Sequence, residues 1–144
     1  MICGVDEAGK GPVIGPMVVA AVLVDNAKQI EDIGFRDSKL LTIQKRRELF
    51  DLIKQNYRYA VEIIEPEKID EYRRKNQLNL LNRKAFERVI TKLNPNVAYV
   101  DAADVNEKRF GKEIKANLTN ENDTDVISMH KADTKIPVVA AASI

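Results

Sequence analysis

The chain contains one cysteine and one histidine in 144 residues. A single thiol, Cys3, allows no intramolecular disulfide, and inside an apolar segment it reads as a small packing residue. One histidine, His130, is too little for a zinc centre, which takes several His or Cys ligands. It is expected to pack or hydrogen-bond near Asp133. No Ser-His-Asp or Cys-His pattern offers a protein nucleophile. No apolar run reaches the length of a membrane span, and Met1 leads straight into a strand rather than a charged leader. The expected location is the cytoplasm, without membrane contact. The full Gly-x-x-x-x-Gly-Lys-Ser/Thr loop is also missing, which counts against a phosphotransferase built around a nucleotide. Internal repeats, low-complexity tracts and interior linkers are absent. What remains is ordinary globular composition, 44% hydrophobic and 31% charged, enough for one domain over residues 1–144 with a substantial core.

The net charge of +1 says little about nucleic acid, but its distribution says more. Arg73, Arg74, Lys75, Arg83, Lys84, Arg88 and Lys92 crowd residues 73–92 against one acid, Glu87, while residues 101–133 are acidic on balance. Such segregation fits a basic face for a phosphate backbone beside an acidic pocket for metal, although a basic helix face is more often only solvated.

The opening stretch is the densest in chemistry. Ile2 to Val5 drives into two adjacent acids, Asp6 and Glu7, followed by Gly9-Lys10-Gly11-Pro12. Neighbouring side chains on a regular strand face opposite ways, so the pair reads as a strand end where alternation breaks and both carboxylates aim at one place. The glycines permit close approach of backbone to a ligand. Val97 to Asp101 is a second apolar run ending in an acid, and Asp133 follows His130 just before Pro137. Apolar strands that repeatedly end in acids are how open α/β sheets build sites. Four carboxylates, Asp6, Glu7, Asp101 and Asp133, are suitable oxygen ligands for hard divalent cations. Asp104 reads instead as a turn or cap acid, and Tyr57, Tyr59, Tyr72 and Tyr99 as core.

Periodicity gives strands at 2–6, 16–24, 59–64, 97–101 and 126–129. A helix capped by Thr42 runs to about Gln55, with Ile43, Phe50, Ile53 and Tyr57 on one stripe. Pro66 opens a short helix through Tyr72, and a longer one spans about Leu78 to Leu93, stopped by Asn94-Pro95. Residues 106–117 form another helix, around Phe110 and Ile114, and Pro137 opens a last one. Residues 26–41 read as a loop holding Asp37, Ser38 and Lys39. Three strands followed by strand–helix alternation predict an α/β fold with a mixed sheet.

Gly4-Val-Asp-Glu-Ala-Gly-Lys-Gly-Pro-Val-Ile-Gly-Pro16 resembles the opening motif of the ribonuclease HII family in its archaeal form. Asp37-Ser-Lys-Leu-Leu41, Leu78-Asn-Leu-Leu-Asn82, Tyr99-Val-Asp101 and His130-Lys-Ala-Asp133 match in order, so the resemblance covers essentially the whole chain. It implies a ribonuclease H-like fold, a five-stranded mixed sheet flanked by helices. It also implies cleavage of the RNA strand in RNA/DNA hybrids, and of DNA carrying ribonucleotides, with two Mg²⁺ or Mn²⁺ ions held by Asp6, Glu7, Asp101 and Asp133. The cut falls 5′ to the ribonucleotide and leaves 3′-hydroxyl and 5′-phosphate ends, a chemistry of DNA replication and repair. Gly9, Lys10 and Gly11 take the place of the family's Gly-Arg-Gly, which holds the ribose 2′-hydroxyl. Lys39, Ser38 and Asn79 are candidate substrate contacts, Asn79 being equally readable as a residue edging its helix. No protein partner is indicated, and a monomer is expected. Family members continue beyond Ile144 through a helix and a tyrosine-bearing segment. The expectation is therefore a chain that binds metal but binds duplex weakly and cleaves slowly, with a frayed C-terminus or an exposed apolar groove. A hybrid-binding module without cleavage and a nucleotide phosphotransferase are the rival readings.

Overall fold

The computed structural model of the chain describes residues 1–8, 17–25, 42–101, 106–119 and 123–130. In chain order these form β1 (Ile2–Ala8), β2 (Met17–Val24), α1 (Ile43–Asn56), β3 (Arg58–Ile64), α2 (Pro66–Arg74), α3 (Leu78–Leu93), β4 (Val97–Asp101), α4 (Glu107–Asn117) and β5 (Asp125–Met129). The loop read over 26–41 and the helix read from Pro137 lie outside the described residues. The strands make one five-stranded mixed sheet in the order β3-β2-β1-β4-β5, with β1, β4 and β5 parallel and β2 antiparallel to both its neighbours.

Local chemistry sets the element ends. Thr42 accepts from the Lys45 N–H at 3.1 Å and Asn106 from the Arg109 N–H at 3.0 Å, satisfying donors that α1 and α4 cannot pair internally. Pro66 occupies the first turn of α2, where its missing N–H is harmless. Asn94 closes α3 in the left-handed conformation (φ 54°), and Pro95 prevents continuation.

Helices α2, α3 and α4 cover one face of the sheet. Cys3, Val5, Val19, Ala98 and Val100 from the strands join Ile69, Leu81, Phe86, Val89, Ile90, Phe110 and Ile114 in one buried cluster. Phe86 and Phe110 meet edge to face, with centroids 5.3 Å apart, which locks α3 to α4. A Cβ added at Gly111 would stand 3.0 Å from Ser128 Cβ, so the glycine is what lets α4 lie close on β5. Helix α1 packs against β3 and buries Leu49 and Ile53 outside that cluster.

Two expectations are corrected. Ile43 and Phe50 do not line the buried stripe of α1; they are 68% and 46% exposed, and Leu49 takes the inward place with Ile53. Lys54 lies over the Phe50 ring at 5.2 Å, giving the aromatic a partner at the surface. The tyrosines are not all core, since Tyr59 is exposed and Tyr57, Tyr72 and Tyr99 are half-buried.

Cys3 is fully buried, and burial pushes its thiol up to about 12. The thiolate is the reactive form, so a thiol reagent at pH 8 is expected to leave the folded chain unlabelled and to react fully in denaturant. Because the folded value lies above the ordinary one, this group's contribution to stability is complete below pH 9 and is lost as pH rises toward 12. Rapid native labelling would show that β1 opens readily.

Candidate active site

The beginnings of the three parallel strands are fastened together. The Asn96 and Val97 N–H groups donate to Met1 O, and the Asp125 N–H donates to Asn96 O at 2.9 Å. The buried Thr124 hydroxyl donates to Pro95 O at 2.6 Å, and Lys115 of α4 donates to Thr124 O and pairs with Asp123 and Asp125. With the starts in register, the far ends are level too: Val5 pairs with Val100 and Asp101 with Met129. One step beyond Val5 and Val100, Asp6 and Asp101 therefore stand side by side, on adjacent strands about 4.8 Å apart. Registered residues share a face, so both carboxylates project from the face opposite α3.

Asp6 is buried, and its Oδ1 accepts from the Glu7 N–H at 2.8 Å, which fixes the side chain. Asp101 is half-buried, and no described residue hydrogen-bonds to its carboxylate. Two carboxylates side by side on neighbouring parallel strands have the chemistry that a hard divalent cation takes.

Glu7 departs from expectation. Strand β1 does not end at residue 6 but continues through Ala8, with Glu7 opposite Val19 and Ala8 opposite Val18. Ladder pairing keeps the alternation, so Glu7 leaves from the α3-covered face while Asp6 leaves from the other. Its Oε2 is shielded from solvent. Among the described residues, no three His, Cys, Asp or Glu side chains converge on a metal-sized space. Asp133 lies outside the described residues, as do Asp104, Gly9, Lys10, Gly11, Ser38 and Lys39.

Asn79 is exposed at the second position of α3 and does not cap the helix; Gln77 holds the cap position without a side-chain hydrogen bond. His130, next after β5, is exposed rather than packed, its N–H donating to Glu107 Oε2 at 2.8 Å. The basic run of 73–92 is partly paired within the fold. Arg83 bridges Glu87 and Glu113, Arg88 meets Glu62 at 2.8 Å, Lys75 meets Glu71, and Lys84 lies over Tyr72. Burial pushes the Glu87 carboxyl upward, against the lowering pull of Arg83, Lys84 and Arg88. Lys84, Arg88 and Lys92 line a cleft of about 360 Å³ with Asn117 and Thr119. That cleft is lined from α3 and the end of α4, helices that cover the face of the sheet opposite Asp6 and Asp101.

One residue escaped the sequence reading. Asn82 is fully buried on α3, and neither its Nδ2 nor its Oδ1 has a hydrogen-bond partner. The signal was present: a lone amide at an inward position, four residues after Leu78 and three before Ala85, in an otherwise apolar stripe.

The ribonuclease HII family model matches residues 3–144. The ribonuclease HII of Methanoregula boonei is 46% identical over all of this chain and 67% of its own length. That of Thermococcus onnurineus is 48% identical over 99% of this chain and 63% of its own length. This chain thus spans about two thirds of the curated relatives it matches. Among solved structures, the Archaeoglobus fulgidus PCNA:RNase HII complex superposes with a TM-score of 0.88 at 39% identity, over 99% of this chain and 68% of that one.

Proposed function

Because the chain belongs to the ribonuclease HII family, we propose that it is an endonuclease for the RNA strand of RNA/DNA hybrids and for ribonucleotides embedded in duplex DNA. The observation that carries this reading is the level placement of Asp6 and Asp101 on one face at adjacent parallel strand ends. Two Mg²⁺ or Mn²⁺ ions, when bound, supply an activated water and stabilise the departing 3′-oxygen. Asp6 and Asp101 would hold them from the sheet, with Glu7 and Asp133 assigned as the further carboxylate ligands. The cut falls 5′ to the ribonucleotide and leaves 3′-hydroxyl and 5′-phosphate ends.

Recognition of the sugar is assigned to Gly9, Lys10 and Gly11, because only a contact to the 2′-hydroxyl separates RNA from DNA at one nucleotide. Ser38 and Lys39 are assigned to substrate phosphate. Asn79 sits at the end of α3 nearest the strand ends, where it can meet the duplex. The Archaeoglobus relative was solved with PCNA, which supports a protein partner as compatible with this fold. Gly11→Ala is expected to lower cleavage at an embedded ribonucleotide about tenfold, the worth of one lost hydrogen bond, while Lys10→Arg stays near the parent rate. Unchanged ribonucleotide preference in Gly11→Ala would remove the sugar-reading role.

The whole reading is tested on an end-labelled duplex carrying one ribonucleotide, with Mg²⁺, with Mn²⁺ and with chelator, beside an all-DNA duplex. Metal-dependent cleavage of the first duplex alone is the expected result. The second reading is a module that holds hybrid duplex without cutting it. Retention of hybrid without cleavage in either metal would select it.

A further inference from the structure

Seven large apolar side chains are exposed among the described residues, and five of them, Ile43, Phe50, Tyr59, Val61 and Ile63, belong to α1 and β3. These two elements share one face of the sheet. Tyr59, Val61 and Ile63 are registered with Val22, Ala20 and Val18 of β2, which alternate with the α3-facing Val19, Ala21 and Leu23. Leu49 and Ile53 of α1, like Val22 and Val24, are buried outside the α3-side cluster, so α1 packs on that same face. Only Tyr57 separates α1 from β3, and its N–H donates to Ile53 O, so the helix lies antiparallel to the strand. With 14 and 7 residues, both are roughly 21–23 Å long, which sets the first turns of α1 beside the Ile63 end of β3.

At 3.6 residues per turn, Ile43, Arg47, Phe50 and Lys54 fall on one flank of α1 with Arg46 beside them, while Glu48 and Asp51 lie further round. Crossovers such as β4-α4-β5 are right-handed. With α3 and α4 on the opposite face, that hand turns the flank away from β1 and toward the outer edge of β3. Strand β3 stands last in the sheet order, and among the described residues no strand pairs with its outer side. Arg46 and Arg47 enter no ion pair among the described residues, and the first turn of α1 holds no acid. An apolar row on an open edge thus adjoins a cationic helix start, itself the end of a helix that favours negative charge.

We propose that β3 and α1 form a docking site for an extended segment of another protein, apolar at alternate positions and acidic at its end. The segment adds as a further strand at the β3 edge and sets its apolar side chains beside Tyr59, Val61 and Ile63. Its acids meet Arg46 and Arg47. A second copy of this chain suits the site poorly, because edge-to-edge pairing of two β3 strands would bring two cationic flanks together. A polynucleotide would find the cations but leave the open backbone edge without a strand.

The test is an amide NMR titration of the 144-residue chain with a synthetic peptide carrying valine at alternate positions, serine between, and glutamates at both ends. Acids at both ends serve either direction of pairing. The peptide is expected to shift the amides of Arg58–Ile64 and α1. It should bind about tenfold more tightly than a form with lysine for glutamate, and than one with serine for valine. Arg47→Glu should weaken it about tenfold, whereas Lys112→Glu, an equal change of net charge on exposed α4, should not. Ile63→Lys, a charge of the kind that guards open strand edges, should weaken it as much, and Val61→Thr carries the comparison should that variant unfold in a thermal check. No shift at about 1 mM peptide, the weak end of measurable affinity, overturns the docking site. Equal binding of the three peptides overturns it too, as do equal losses in Arg47→Glu and Lys112→Glu. Tighter binding of oligothymidine at the same amides would replace it with a nucleic-acid surface, and concentration-dependent shifts of those amides in the free chain with a contact between copies.

Discussion

Replacing Asp101 by asparagine is expected to cut duplex cleavage by about a thousandfold or more while leaving the fold intact. Metal ions contribute several kcal/mol of charge stabilisation in phosphodiester hydrolysis, and each 1.36 kcal/mol is about a factor of ten in rate. Asp101 ends β4 beside Asp6, so its loss would remove one of the proposed metal ligands. Stability should not suffer. The Asp101 carboxylate receives no hydrogen bond from a described residue, and an amide of the same size relieves repulsion from its acidic neighbour. The check pairs single-turnover cleavage with urea unfolding. Cleavage at the parent rate would show that Asp101 holds no catalytic ion. Loss of activity together with loss of fold would make the residue structural.

The largest expected effect on stability lies at Phe86. It is fully buried in α3 and meets Phe110 of α4 at 5.3 Å with planes 77° apart. Phe86→Ala removes most of a large side chain from a packed interior, a change that costs about 3–5 kcal/mol. Domains of this size hold roughly 5–15 kcal/mol in all, so the variant should sit near the edge of folding. The midpoint of urea unfolding should fall steeply without a change of slope. A loss below about 1 kcal/mol would mean that α3 and α4 are not locked through this pair. Because α4 also anchors the start of β5 through Lys115, loosening it should disturb the register that brings the strand ends level.

Much of this arrangement was legible in the residues. The turn at Asn94-Pro95, the cap at Thr42 and the apolar runs ending in Asp6 and Asp101 are local signals, and local chemistry decides them. Less legible was anything settled by pairing between strands. That β1 continues through Ala8 depends on Val18 and Val19 lying opposite its last residues. A sequence cannot show that ladder, and the ladder keeps Glu7 on the face away from Asp6. The stripe of α1 misled because Phe50 and Leu49 are adjacent. Apolarity favoured the phenylalanine, whereas the packing took the leucine and left Phe50 beneath Lys54. The basic run of 73–92 read either as a surface for phosphates or as a merely solvated helix face. Three of its charges, Lys75, Arg83 and Arg88, are taken by Glu62, Glu71, Glu87 and Glu113, partners supplied partly by distant segments. Asn82 stood in plain sight within a recognised motif, but burial gave it meaning.

The central claim is that the ends of β1 and β4 form the seat of a divalent cation. Diffraction from crystals soaked in Mn²⁺, recorded for its anomalous signal, tests that claim most directly. The account predicts a peak on the Asp6 and Asp101 side of the sheet, with carboxylate oxygens of both residues at about 2.0–2.6 Å, the range for hard cations. A bound, well-ordered Mn²⁺ elsewhere, with none between Asp6 and Asp101, would contradict it.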